Sequence, residues 1–88
     1  MTAPALKVLF FARLREQLEC AELSVPCTEE LATVDDLCRH LIAQGGESWR
    51  ATLEEENVIC AINHSVVARD AELAAGDEVA FFPPVTGG

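Results

Sequence analysis

The stretch from Thr33 to Gly46 constrains this chain more than any other. Val34, Leu37, Cys38, Leu41 and Ile42 fall at i, i+3, i+4, i+7 and i+8, one apolar stripe along an otherwise polar segment, the pattern of a helix with a single buried face. Thr33 stands where its hydroxyl can accept from the free N–H groups of the first turn, and Asp35 and Asp36 suit the positive end of the helix dipole. Gly45-Gly46 closes the segment. One stripe has to be covered, and the other apolar runs of the chain are short, rich in β-branched and aromatic residues and bounded by turn formers. The helix is therefore expected to lie on a sheet, in an α+β roll.

The strands follow from alternation. Leu6 to Ala12 reads as the first, with Leu6, Val8 and Phe10 on one face and Lys7, Leu9 and Phe11 on the other. Ala12 to Glu19 then reads as a short helix, with Leu14 and Leu18 at i, i+4 and with Arg13 and Arg15 solvated. Ala21 to Val25 forms a second strand, stopped by Pro26, which completes a hairpin with a broad connection. Cys27 to Ala32 is an acidic loop. After the capped helix, Glu47 to Glu56 carries Trp49 and Leu53 at i, i+4, a poorer helical turn or two that ends in the solvated run Glu54-Glu55-Glu56. Asn57 to Ile62 and Val66 to Ala68 form a hairpin about the turn Asn63-His64-Ser65, whose Asn tolerates positive φ. Arg69 to Ala75 is a loop, Gly76-Asp77 a tight turn, and Glu78 to Phe82 the last strand. About five strands in a mixed sheet result. Residues 1–5 form a disordered lead, 6–82 the domain and 83–88 a tail.

Composition narrows the partners. Fifteen acidic residues against six basic ones give a formal charge of −9, which opposes nucleic acid or an anionic membrane and favours a partner with a basic face. No apolar run of twenty residues and no signal-peptide pattern is present, so the chain is expected to be cytoplasmic. Cys20, Cys27, Cys38 and Cys60 contain no C-x-x-C pair, and His40 and His64 are the two histidines. Reduced packing thiols therefore fit better than a zinc or redox site, and no metal ligand is assigned. Two disulfides would require an exported protein. Asp35-Asp36 reads as helix N-terminal charge rather than as an acid/base pair, and both histidines are read as solvent-facing. No catalytic constellation is present, so a partner would have to supply the catalytic groups.

The end of the chain, Phe81-Phe82-Pro83-Pro84-Val85-Thr86-Gly87-Gly88, is unlike an ordinary domain end. Two prolines lack the N–H a sheet needs, so strand pairing should stop at Phe82 and the chain should leave as an extended arm. Six residues at roughly 3.3–3.6 Å each carry the carboxylate about 20 Å from the sheet. Gly87 and Gly88 have no Cβ and can thread a slot too narrow for any side chain. The alternative is a frayed terminus. The Pro-Pro stiffener, the preceding Phe-Phe and the lack of a charged tail favour a functional arm.

The opening Lys7-Val8-Leu9-Phe10-Phe11-Ala12 with Arg15-Glu16, and the closing Gly76-Asp77-Glu78-Val79-Ala80-Phe81-Phe82-Pro83-Pro84-Val85-Thr86-Gly87-Gly88, resemble the small, sulfur-carrying subunits of molybdopterin synthase, the MoaD-type branch of a ubiquitin-like family that includes ThiS. The likeness spans the domain from Leu6 and departs in Cys20 to Ala32 and in the first five residues. It implies a β-grasp fold. It also implies that a ubiquitin-activating-like adenylyltransferase uses ATP to adenylate the Gly88 carboxylate, and that a sulfur donor protein displaces AMP to leave a thiocarboxylate. The synthase large subunit would then receive the tail, and the sulfur would attack a cyclic pterin phosphate precursor. Gly88 would be the covalent site, Gly87 would grant passage, and Pro83, Pro84, Val85 and Thr86 would set the reach. Two carriers would supply two dithiolene sulfurs, in a heterotetramer. No permanently bound cofactor is implied.

Strand alternation separately sets Phe11 and Phe82 opposite the core face, and one of Val66 and Val67 must also point outward. These are the candidate docking patch, the alternative being that a helix or loop covers one of them. Arg15 either pairs with the partner or is simply solvated. Three rival functions stay open: a thiamin-type sulfur carrier, a ubiquitin-like modifier joined through Gly88 to lysines, and an interaction module with an inert tail.

Overall fold

The computed structural model describes residues 5–54 and 58–83. Along the chain run β1 (Ala5–Phe10), α1 (Arg13–Leu18), β2 (Glu22–Pro26), α2 (Val34–Gly45), α3 (Glu47–Leu53), β3 (Ile59–Ile62), β4 (Ser65–Val67) and β5 (Glu78–Phe82). The strands form one sheet in the order β2-β1-β5-β3-β4. β1 and β5 run parallel at its centre, with Lys7 opposite Glu78 and Phe10 opposite Phe81. The remaining pairs are antiparallel.

Side-chain alternation decides which face is covered. Leu6, Val8 and Phe10 of β1 and Val79 and Phe81 of β5 are buried under the helices. From the helices come Leu14 and Leu18, Val34, Leu37, Cys38 and Leu41, and Leu53, which is the stripe expected on α2. Ile42, the last member of that stripe, is half-buried at its margin. Phe10 stacks on Phe81 at 5.7 Å between ring centres and meets Trp49 edge-on at 5.5 Å, so the aromatic residues tie α3 to the two central strands.

The start of α2 is a capping box: the Thr33 hydroxyl accepts from the Asp36 N–H at 3.2 Å, and the Asp36 carboxylate accepts from the Thr33 N–H at 3.1 Å. Asp36 also accepts from the Ala32 N–H, which accounts for its carboxylate without any acid/base role. The loop after β4 is sewn to this helix start, with the Val34 N–H donating to the Ala71 carbonyl and the Asp35 N–H to the Arg69 carbonyl.

Several boundaries differ from the sequence reading. Ala5, assigned to the lead, opens β1 opposite Pro26. Ala12, assigned to the first strand and then to the helix, belongs to neither; it turns the chain at φ 54°, ψ −132°. β2 stops at Pro26 as expected but includes it, running Glu22–Pro26 rather than Ala21 to Val25; the proline is tolerated in the ladder because β2 is an edge strand. His40 is half-buried rather than solvent-facing and lies 3.3 Å from the Gln44 amide. The expected lead at 1–4, the residues 55–57 around the acidic run, and the tail residues Pro84, Val85, Thr86, Gly87 and Gly88 lie outside the described residues.

Candidate functional site: the open face of the sheet beside the end of β5

The face of the sheet away from the helices has two halves. Near the start of β5 it is charged. Lys7 lies 3.4 Å from Glu22, and His64 lies 3.5 Å from Glu78. Near the end of β5 it is apolar. Register sets this division: Leu9 is opposite Ala80, Ala61 is opposite both Ala80 and Val66, and Ile59 is opposite Phe82. A shallow depression of about 210 Å³ opens there, its floor formed by Leu9, Ala61 and Ala80 and its apolar rim by Phe11, Val66 and Phe82, with His64 and Glu78 at the polar end.

The local sequence explains why the two phenylalanines meet. β1 stops at Phe10 because the chain turns sharply at Ala12, in a backbone region that an L-residue enters only when its neighbours hold it. Two bonds hold it: the Phe11 N–H donates to the Phe81 carbonyl, and the Leu14 N–H donates to the Phe11 carbonyl. The turn leaves the Phe11 ring over Phe82, parallel to within 5° and 4.7 Å between centres. Phe11 and Val66 are the large exposed apolar residues of the described chain, at 40% and 75%. Of the two valines, Val66 points outward and Val67 packs against the core, as alternation requires.

Phe11, Phe82 and Val66, singled out from the sequence, thus come together on one face. Arg15 does not join the depression; it is exposed in the last turn of α1. Pro83 follows directly on β5 without being part of it, so strand pairing ends at Phe82 as its two prolines dictate. The sequence reading missed the contributions of Ala61, Ala80, His64 and Glu78. Period-two alternation would have found the two alanines, whereas the approach of His64 to Glu78 depends on how the hairpin folds across the sheet. The hairpin turn itself places Asn63 and His64 at φ 48° and 73°, and the Asn63 side chain braces β5 by donating to Asp77 and accepting from the Glu78 N–H.

The cysteines contribute no reactive centre to this face. Cys38 and Cys60 are buried in the core, with no disulfide among the four. Burial pushes the Cys38 thiol up to about 12 and raises Cys60 as well, although the Arg69 guanidinium beside them opposes both shifts. Arg69 reaches inward, donating to Cys38 Sγ at 3.5 Å and to the Leu53 carbonyl at the end of α3. Among the described residues no cluster of three or more His, Cys, Asp or Glu is placed to hold a metal ion. No helix among them is long and apolar enough to cross a membrane.

Five strands in the order β2-β1-β5-β3-β4, with parallel terminal strands at the centre and a capped helix across one face, define a ubiquitin-like β-grasp protein. Residues 8–88 match the ThiS family, and the chain belongs to it. It is 43% identical over 83 residues to the molybdopterin synthase sulfur carrier subunit of Escherichia coli (strain K12), a match covering 94% of this chain and 99% of that protein. Among solved structures, a putative molybdopterin converting factor subunit 1 from Pyrococcus furiosus is 30% identical with a TM-score of 0.74, over 94% of this chain and 100% of that one. Small archaeal modifier protein 1 of Haloferax volcanii is 26% identical with a TM-score of 0.72, over 94% of this chain and 100% of that one.

Proposed function

We propose that this chain is the sulfur carrier subunit of a cytoplasmic molybdopterin synthase. The observation that carries the proposal is the end-to-end likeness to a carrier subunit of that name. A β5 that runs out into Pro83 at the margin of an apolar depression supports it. In this reading the β-grasp domain is a handle and the chain from Pro83 to Gly88 is the working part.

A carboxylate is inert toward sulfur nucleophiles. The Gly88 carboxylate attacks the α-phosphorus of ATP in an adenylating partner and pyrophosphate leaves. The acyl adenylate then has a good leaving group. Sulfide-level sulfur released by a sulfur donor protein attacks the acyl carbon, the bond to AMP breaks and AMP departs, and a thiocarboxylate remains whose sulfur attacks the pterin precursor inside the large subunit. Gly87 and Gly88 pass where a Cβ would not. Phe11, Phe82 and Val66 seat the partner by burying apolar surface, with Arg15 outside that contact. A partner face carrying Lys and Arg would complement the charge of −9. ATP is a substrate of the activating enzyme rather than a group held here.

The decisive experiment is an intact mass of the chain from cells with working sulfur-transfer machinery, beside a form lacking Gly88. A fraction in which one terminal oxygen is replaced by sulfur, absent from the shortened form, is the expected result. Unmodified protein throughout, or stable conjugates to lysines of other proteins, would sink the carrier reading; conjugates would instead place the chain among the modifiers.

A further inference from the structure

The two edges of the sheet are built differently. β2, at one edge, carries Glu22 beside Lys7 and ends on Pro26, the charge and proline with which edges refuse a further strand. β4, at the other edge, is Ser65-Val66-Val67 and has neither. Its backbone orientation follows from the ladder. The Asn63 N–H donates to the Glu78 carbonyl at 2.8 Å, so Asn63 faces β5. Successive residues of a strand turn their N–H and C=O to opposite sides, so Ala61 also faces β5 while Ile62 and Cys60 face β4. Ile62 and Cys60 stand opposite Ser65 and Val67. Val66, opposite Ala61, therefore turns both its N–H and its C=O away from the sheet.

We infer that β4 is an edge onto which the large-subunit partner adds a strand, an extended segment that hydrogen-bonds to Val66 while the adjoining surface covers the phenylalanines. The inference rests on the proposed function and states how that docking is made. Three features select the occupant. Val66 belongs both to the free edge and to the apolar rim, so one partner meets backbone and side chain together. Asp70, just beyond Val67, is exposed beside β4, while Arg69 is turned inward to Leu53 and Cys38 and Glu78, two strands away on β5, already faces His64. A strand flanked by Lys or Arg complements Asp70 and the net charge of −9. A second copy of this chain, itself at −9, brings like charge to the same place.

The test compares Val66→Ala with Val66→Pro for binding to the cognate large subunit, and follows exchange of the Val66 amide in the unsubstituted chain. Proline removes the outward N–H and leaves the β3–β4 bonds, as an edge strand allows. Alanine keeps the N–H and trims the side chain. The expected result is a several-fold loss for Val66→Ala, a further loss of at least tenfold for Val66→Pro at comparable thermal stability, and strong protection of the Val66 amide on complex formation. An amide that exchanges as fast in the complex as in the free chain overturns the inference whatever the proline variant does. So does a free chain that dimerises with that amide protected, which would make the occupant a second copy. If Phe82→Ala and Val66→Ala both bind as the unsubstituted chain does, the apolar face itself is wrongly assigned, a failure distinguishable from loss of the edge alone.

Discussion

Single residues carry the sharpest tests. Phe82 stacks on Phe11 on the open face rather than in the core, so Phe82→Ala should cost the fold little and the complex much: at least tenfold in affinity, about 1.4 kcal/mol or more, the loss typical of an aromatic anchor. Comparative titration of binding and thermal unfolding separates the two effects. Glu19 closes α1 at φ 53°, ψ 40°, where glycine is at ease and glutamate is not. Glu19→Gly should therefore stabilise the fold by up to about 1 kcal/mol, read as a rise in Tm of a few degrees. The buried thiols give a pH prediction. Folding holds Cys38 protonated up to about 12, against 9.0 when its surroundings are absent. Below 9 both states keep the proton and stability is indifferent to this group. Above 9 the unfolded chain releases it first, so stability falls through the interval to 12 by up to about 1.4 kcal/mol per pH unit. Denaturant midpoints at pH 8 and pH 10 would show the decline, and Cys38→Ser, with no thiol to ionise, should decline less.

At the scale of elements, the α2 cap is the best place to measure a local contribution. Thr33→Ala removes the acceptor of the Asp36 N–H and should cost about 1 kcal/mol, a fall in Tm of about 4–8 °C for a domain of this size. This helix was legible in the sequence from cap to closing glycines because cap, dipole charge and stripe are all local signals. β1 was legible in its faces but not in its end. Alternation ran on through Phe11 and Ala12, and nothing local announces that an alanine will adopt a backbone normally left to glycine. Pro26 does mark the end of β2, and the one-residue difference arises because a proline can be the last residue of an edge strand, where its missing N–H has no neighbour to serve. The apolar face was legible in Phe11, Phe82 and Val66. Its alanine floor and its His64–Glu78 end were not, because small residues carry little signal and a pair fourteen positions apart is made by topology. Arg69 was read as part of a loop, and its inward turn toward α3 is visible only once α3 is in place.

For the whole molecule, charge sets how partners arrive. A chain at −9 meeting a basic face should associate fastest at low salt, and stopped-flow association rates should fall steeply between roughly 50 and 500 mM ionic strength while dissociation changes little. A rate insensitive to salt would refute the basic-partner expectation. The central position of β5 has a mechanical consequence. β5 is bonded to β1 on one side and to β3 on the other, and Pro83 follows it directly. Tension applied from that end lies across the hydrogen bonds of both ladders. The bonds are sheared together, as rivets in a lap joint are, and are not peeled one by one. A domain wired in this way is held against a pull along β5 by two ladders at once rather than by one.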